Sequence, residues 1–301
     1  MDILNKEHFI YSFDKKHEPA LVVSSGTQVI IETHDCFLGQ IESEETSYHA
    51  IDWEQINPAT GPIYVEGAKS GDILKVTIDD LEIAQTGIIA TGRELGVMGH
   101  RLEEFTIKKV DIEDDTYVFN DRLRLPLNPM IGVIGVAPAD EGISCGTPGA
   151  HGGNMDTTLI TKGAALYLPV FQEGALFGLG DLHAAMGDGE IGVSGIEVAG
   201  KVTVTLEVIK GKTTIPHPFV VNEEGAAIIV SKPTLDEAAK EAVECFIDIM
   251  QPLTGLSVAD LSMLFSVSGH VQVSQIVDPL MTARFFVPSE VFDTYGVTLF
   301  S

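Results

Sequence analysis

Three stretches of this chain bring carboxylates and imidazoles together among glycines and apolar residues, a pattern unlike a solvated run of charge. His34-Asp35-Cys36 closes the apolar run Val29-Ile30-Ile31. Gly149-Ala-His151-Gly152-Gly153-Asn154-Met155-Asp156 is a glycine-rich turn bearing one imidazole, one amide and one carboxylate. Gly180-Asp181-Leu182-His183 leads through Asp188 and Glu190 to Ser194 and Glu197. Lys and Arg are almost absent from these stretches, so the gathered carboxylates would raise one another's pKa values and oppose folding. A divalent cation resolves that repulsion. The mixed nitrogen and oxygen donors suit zinc best, with manganese, iron or calcium as alternatives. If Asp181-Leu182-His183 is extended, its two polar side chains share a face and Leu182 points into the core.

Plainer roles are open to several of these residues. Asp188-Gly189 is also a common hairpin dipeptide, Asn154 can stabilise a glycine turn, and His151 can cap a strand end. Cys145 has no flanking base and reads as a buried apolar residue rather than a nucleophile. Cys36 and Cys245 read the same way. H-E-x-x-H, G-x-S-x-G and Walker signatures are absent.

The 301 residues carry 18 Lys and Arg against 44 Asp and Glu, a net charge of −26 that argues against nucleic acid as a partner. No apolar run approaches the roughly 18 residues of a membrane span, so no membrane association is expected. The first residues lack the basic and apolar regions of a secretory signal, and the three cysteines form no C-x-x-C pair, so a reducing cytoplasm is the expected setting.

Period-2 alternation predicts strands at 202–208 and 74–78, with further strands at 20–24, 28–33, 63–66, 105–110, 116–119, 165–171 and 271–277. Thr234 and Glu237 have capping-box spacing and predict a helix that Pro252 stops; Ser257 and Asp260 start a second, ending before Gly269. The fold class is β-rich α+β. A β-sandwich-like body over 1–225 carries the site motifs, and an α/β part over 226–301 packs on it as one unit.

Gly152-Gly-Asn-Met-Asp156-Thr, Leu168-Pro-Val-Phe171, Gly180-Asp-Leu-His-Ala-Ala-Met-Gly-Asp-Gly-Glu190 and the earlier Asn57-Pro58-Ala-Thr-Gly61-Pro together resemble the acetamidase/formamidase family. Matching stretches at 33–40, 57–72, 149–156, 165–197 and 272–279 run in order over most of the chain. The resemblance implies a cytoplasmic enzyme hydrolysing short aliphatic amides to ammonia and a carboxylate on a β-sandwich-like fold. It also implies a homo-oligomer, most simply a dimer, and the chain looks like a short form without long insertions.

The expected roles follow. Asp35, Asp181, His183 and Glu197 would hold one or two divalent cations, most simply zinc, that activate water. Glu190, or failing that Asp156, would move the proton. Asn154 and the N–H groups of Gly152 and Gly153 would meet the oxyanion, with His151 as a further substrate contact. Two alternatives stay open at this point: hydrolysis of another small amide or a urea-like compound, and a metal-stiffened β-sandwich that binds a small ligand without chemistry.

Overall fold

The computed structural model describes residues 2–211 and 215–300. Alternating sequence builds the first sheet. In the strand Gly200–Ile209, Val202, Val204 and Leu206 are buried while Thr203, Thr205 and Glu207 are half-buried, as a strand with one face on a core requires. It lies between Thr27–Thr33 and Ile73–Ile83, antiparallel to both. The sheet has nine strands and continues through Ala165–Pro169, Phe219–Asn222, Gly225–Lys232 and Met281–Pro288 to an edge at His270–Gln275. The residue 225/226 boundary therefore falls inside a hairpin of this sheet, where Phe219–Asn222 pairs with Gly225–Lys232.

The second sheet has eleven strands, and its central strand, Phe177–His183, is buried at every residue. Met130–Gly135 flanks it on one side and is likewise fully buried. Ala59–Glu66 and the short Glu197–Val198 pair along its other edge. Ile31, Val76 and Val204 of the first sheet share one core with Ile131, Leu179 and Leu182 of the second, so the two sheets face each other as a sandwich.

A second core lies under the helices. Helix α1 (Leu235–Thr254) starts at Thr234, whose Oγ1 accepts the Glu237 amide at 3.3 Å. It turns Ala238, Ala242, Phe246 and Met250 inward at helical spacing. Helix α2 (Val258–Ser268) starts at Ser257, whose Oγ accepts the Asp260 amide at 3.1 Å. A third, α3 (Ser289–Tyr295), was not foreseen from the sequence. Pro252 does not stop α1: it sits in the last turn, and the helix ends at Gly255, whose left-handed φ of 71° closes it. A proline so late removes one terminal hydrogen bond, and the αL glycine satisfies the end. Among the described residues, no single helix is long and apolar enough to cross a membrane.

Phe246 anchors this core, stacking on Phe219 at 5.4 Å and meeting Phe265 and Phe285 edge-on. Truncation to Ala should cost about 3–5 kcal/mol, read as a lower urea midpoint. A loss below about 1 kcal/mol would mean that α1 is not packed on the sheet as described.

Candidate active site

Four neighbouring strands of the second sheet carry the polar cluster: Gly152–Asn154, Met130–Gly135, Phe177–His183 and Glu197–Val198 lie side by side. The register sets His183 opposite Glu197. His183 Nε2 lies 3.2 Å from Glu197 Oε2, 3.5 Å from Asp181 Oδ1 and 3.8 Å from Asp156 Oδ1. All four side chains are buried. Leu182, between Asp181 and His183, belongs to the inter-sheet core, as an extended segment predicts.

Glycines make room for this group. A Cβ on Gly132 would stand 2.5 Å from Asp156 Oδ1 and 2.6 Å from Asp181 Oδ2, and one on Gly195 would stand 2.6 Å from His183 Nδ1. The chain also bends to aim the carboxylates. Asp156, Asp181 and Glu190 all hold left-handed backbone, with φ of 43°, 55° and 46°. Such conformations cost about 1–3 kcal/mol each for residues with a Cβ and cluster at functional sites.

Glu190 sits in the loop after the central strand, and the C-terminal part pins that loop. The Gly189 amide donates to Ser274 O at 2.8 Å, and the Ile276 amide donates to Gly189 O at 3.2 Å. Buried Arg284 donates to both carboxylate oxygens of Asp188, at 3.0 and 2.6 Å, so Asp188 does more than shape a turn. The same segment delivers Asp278, whose Oδ2 accepts Asn154 Nδ2 at 3.0 Å.

The electrostatics are extreme. Burial first, then Asp278 and Asp181, hold the Asp156 carboxyl well above the usual range. Burial and Asp156 do the same to Glu190, and burial, Glu190 and Asp181 to Asp278. Burial pushes Glu197 up to about 7, with His183 opposing and Asp181 adding to the rise. For His183, burial pulls the imidazole down, but Glu197 and Asp181 outweigh it and hold it well above its ordinary value. Both oxygens of Asp156, both nitrogens of His183 and Glu197 Oε2 have no hydrogen-bond partner. Asp156, His183 and Glu190 form one set whose ligand atoms lie within 4.8 Å of one another; Cys36, Asp181 and Glu197 form another. The cluster opens into a cavity of about 550 Å³ bordered by Asn154, Asp181, Glu190, Glu197 and Asp278.

The model of the acetamidase/formamidase family matches residues 7–144 and 139–294. This chain belongs to that family. A predicted acetamidase/formamidase from Thermoanaerobacter tengcongensis is 52% identical, with a TM-score of 0.96 over 99% of this chain and 98% of that one. Bacillus halodurans acetamidase is 46% identical, with a TM-score of 0.96 over 98% of this chain and 100% of that one. The Mycolicibacterium smegmatis acetamidase is 28% identical over 64% of this chain, and a putative formamidase of Schizosaccharomyces pombe is 26% identical over 62% of it. The chain spans 64% and 61%, respectively, of the length of those two curated relatives.

Within this family member, the residues singled out in the sequence divide into two groups. Asp156, Asp181, His183, Glu190 and Glu197 come together, and Asn154 borders the same cavity. Asp35 does not join them: its Oδ1 accepts the amides of Phe37 and Gly39 at 2.9 and 3.2 Å, capping a tight turn. A short carboxylate ahead of a turn meets its own backbone before it can reach across a sheet. His34 lies edge-on to Phe9 at 5.5 Å. His151 is packed edge-on to Phe13 at 5.4 Å and does not border the cavity; burial lowers its pKa to about 4.

The Gly152 amide is already given to Gly149 O at 3.1 Å, and neither Gly152 nor Gly153 borders the cavity. Their lack of a side chain serves close backbone approach instead, to Ile134 O and Thr147 O. One of the two N–H donors of the Asn154 side chain is committed, to Asp278. Cys145 is core: its Sγ donates to Ile10 O at 3.5 Å, and burial pushes its pKa up to about 12. Asp278 and Gly132 escaped the sequence reading, and Cys36, read there as a plain buried cysteine, adjoins Asp181 and Glu197. The available signals were a carboxylate set between apolar Val277 and Pro279, and an isolated glycine inside the apolar run 130–135.

One consequence is a reversed pH dependence of stability without metal. The Glu197 pKa rises from 4.5 to about 7 on folding, so the proton favours the folded chain. That contribution is fully present below the unfolded value and is lost as pH rises through the folded one, of order 3 kcal/mol. Chelated protein should show a lower urea midpoint at pH 8 than at pH 5, with a shallower slope in Glu197→Gln. A midpoint that rises over this window would contradict the burial and crowding described.

Proposed function

We propose that this chain hydrolyses simple amides of the formamide and acetamide type to a carboxylate and ammonia, using water activated at a divalent cation. The observation that carries the reading is His183 Nε2 facing Asp156, Asp181 and Glu197 in a buried cluster whose ligand atoms lack partners. The donor set fits a cation: one imidazole and several carboxylates, with the thiol of Cys36 adjoining. Asp181, His183 and Glu197 would hold it, with Asp156 alongside. Zinc is the simplest occupant, and manganese and calcium suit the oxygen donors. Such a cation supplies Lewis acidity that makes water nucleophilic near neutral pH and polarises an amide carbonyl.

The chain's own residues then have distinct tasks. Glu190 borders the cavity without belonging to the His183–Asp181–Glu197 contact group. It accepts a proton at a carboxylate oxygen from the attacking water and returns it to the amide nitrogen as the C–N bond breaks. Its carboxyl is held well above the usual range mainly by burial and Asp156, and added positive charge would draw it back toward a pKa suited to both proton transfers. Asp278 holds Asn154 across the cavity wall, and the ion pair of Arg284 with Asp188 keeps the Glu190 loop in place. The relatives named acetamidase or formamidase support the amide substrate. We take the protein to act in the cytoplasm as a homo-oligomer, most simply a dimer; its 45% hydrophobic content and net charge of −26 support this.

The test is ammonia release from formamide, acetamide, propionamide and urea by protein as isolated, after chelation, and after adding back zinc, manganese or calcium. Chelator-sensitive release restored by one metal is expected. No release with any metal, despite bound metal by elemental analysis, would overturn the reading. Glu190→Gln should retain metal and lose about 10²–10⁴-fold in kcat, whereas His183→Ala should lose both metal and turnover. If Glu190→Gln loses metal instead, the roles of base and ligand are exchanged.

A further inference from the structure

The cavity is far larger than formamide or acetamide, which have three and four non-hydrogen atoms. At about 550 Å³ it lies within the roughly 300–1,000 Å³ range of pockets that enclose drug-sized ligands. A water molecule takes a share of about 30 Å³ in the liquid, so acetamide would leave most of this space to solvent. A tight polar site would discriminate small amides by excluding larger ones; this site does not exclude them.

Part of the cavity wall is apolar and aromatic. Phe37, Trp53, Ile56, Leu95 and Phe105 border the cavity. The rings are pre-packed rather than loose: Trp53 meets Phe37 edge-on at 6.5 Å and Phe105 at 5.8 Å, and Tyr48 braces it from behind at 4.7 Å. Trp53 Nε1 donates to Tyr48 O at 3.1 Å, which fixes the indole. A ligand that stacks here therefore meets an ordered surface and loses little freedom to side-chain rearrangement. Among the described residues no Lys or Arg borders the cavity, and Glu54 adds negative charge to the wall. An acidic substrate is disfavoured by that field.

We infer that the preferred substrate is an uncharged primary amide carrying an aryl or arylalkyl group, which lies against the Phe37–Trp53–Phe105 wall while its amide reaches the carboxylates. The inference rests on the amide-hydrolysis reading and narrows it. The reaction is unchanged: water supplies oxygen to the carbonyl carbon, the C–N bond breaks, and ammonia leaves with the transferred proton beside an arylalkyl carboxylate. Acetamide remains a substrate but gains nothing from the wall.

Trp53 is the single tryptophan of the chain, so its fluorescence reports the wall directly. Two measurements on metal-loaded protein test the inference: titration of Trp53 fluorescence with phenylacetamide or acetamide, and ammonia release from each. Phenylacetamide should produce a saturable change at concentrations at least about tenfold below any effect of acetamide, and its kcat/KM should be at least about tenfold higher. Trp53→Ala should reduce that kcat/KM ratio. Acetamide turnover without an advantage for phenylacetamide would overturn the inference and leave amide hydrolysis intact. Saturable phenylacetamide binding with no ammonia from either amide would overturn the hydrolysis reading while the aryl-binding wall stands.

Discussion

The structure is organised around an electrostatic conflict. Asp156, Asp181, Glu190, Glu197 and Asp278 gather around the imidazole of His183, and among the described residues no Lys or Arg borders the adjoining cavity. In a medium of low dielectric, like charges so close cannot all ionise. Protons or a bound cation would relieve the conflict, and side-chain atoms of Asp156, His183 and Glu197 are left without hydrogen-bond partners.

That conflict explains features that otherwise look like defects. A central strand does not ordinarily hold a non-glycine residue in left-handed backbone, yet Asp181 does so within Phe177–His183. Hydrogen bonding to strands on both sides keeps the distortion from relaxing. Gly132 and Gly195 give up packing so that carboxylates and imidazole can fill the space. The C-terminal part completes the site as well: Asp278 reaches the cavity, and Arg284 holds the Glu190 loop through Asp188. The helices and strands after residue 225 thus stand in the same mechanical circuit as the strands that carry the carboxylate cluster.

Legibility in the sequence followed physical exposure. Half-buried strands such as 202–208 and 74–78 alternate, and their pattern was readable; so were the caps of α1 and α2. Met130–Gly135 and Phe177–His183 are buried on both faces and do not alternate, so periodicity alone could not show them as the centre of a sheet. Local motifs revealed Asp156, Asp181, His183, Glu190 and Glu197 because each stands in a glycine-rich or apolar setting. Asp35 stood in a similar setting but had a nearer partner in its own turn. Asp278 was obscured for the opposite reason: its relevance comes from a contact with Asn154, 124 residues away, which no local pattern encodes.

The chemical floor and the aromatic wall of the cavity come from different parts of the fold. The floor rests on buried strands, where a shift of side chain or backbone disturbs several charged neighbours at once. The wall comes from the segment around Phe37 and Trp53 and from Phe105, packed as a small cluster of their own with Ile41, Ile51 and Ile107. The wall is thus a packing unit of its own, joined to the floor through Cys36, whose thiol adjoins Asp181 and Glu197. A TM-score of 0.96 to Bacillus halodurans acetamidase therefore speaks for the shared scaffold and its floor. On the proposed reading, substrate choice rests with the wall's side chains, which such a backbone comparison does not weigh.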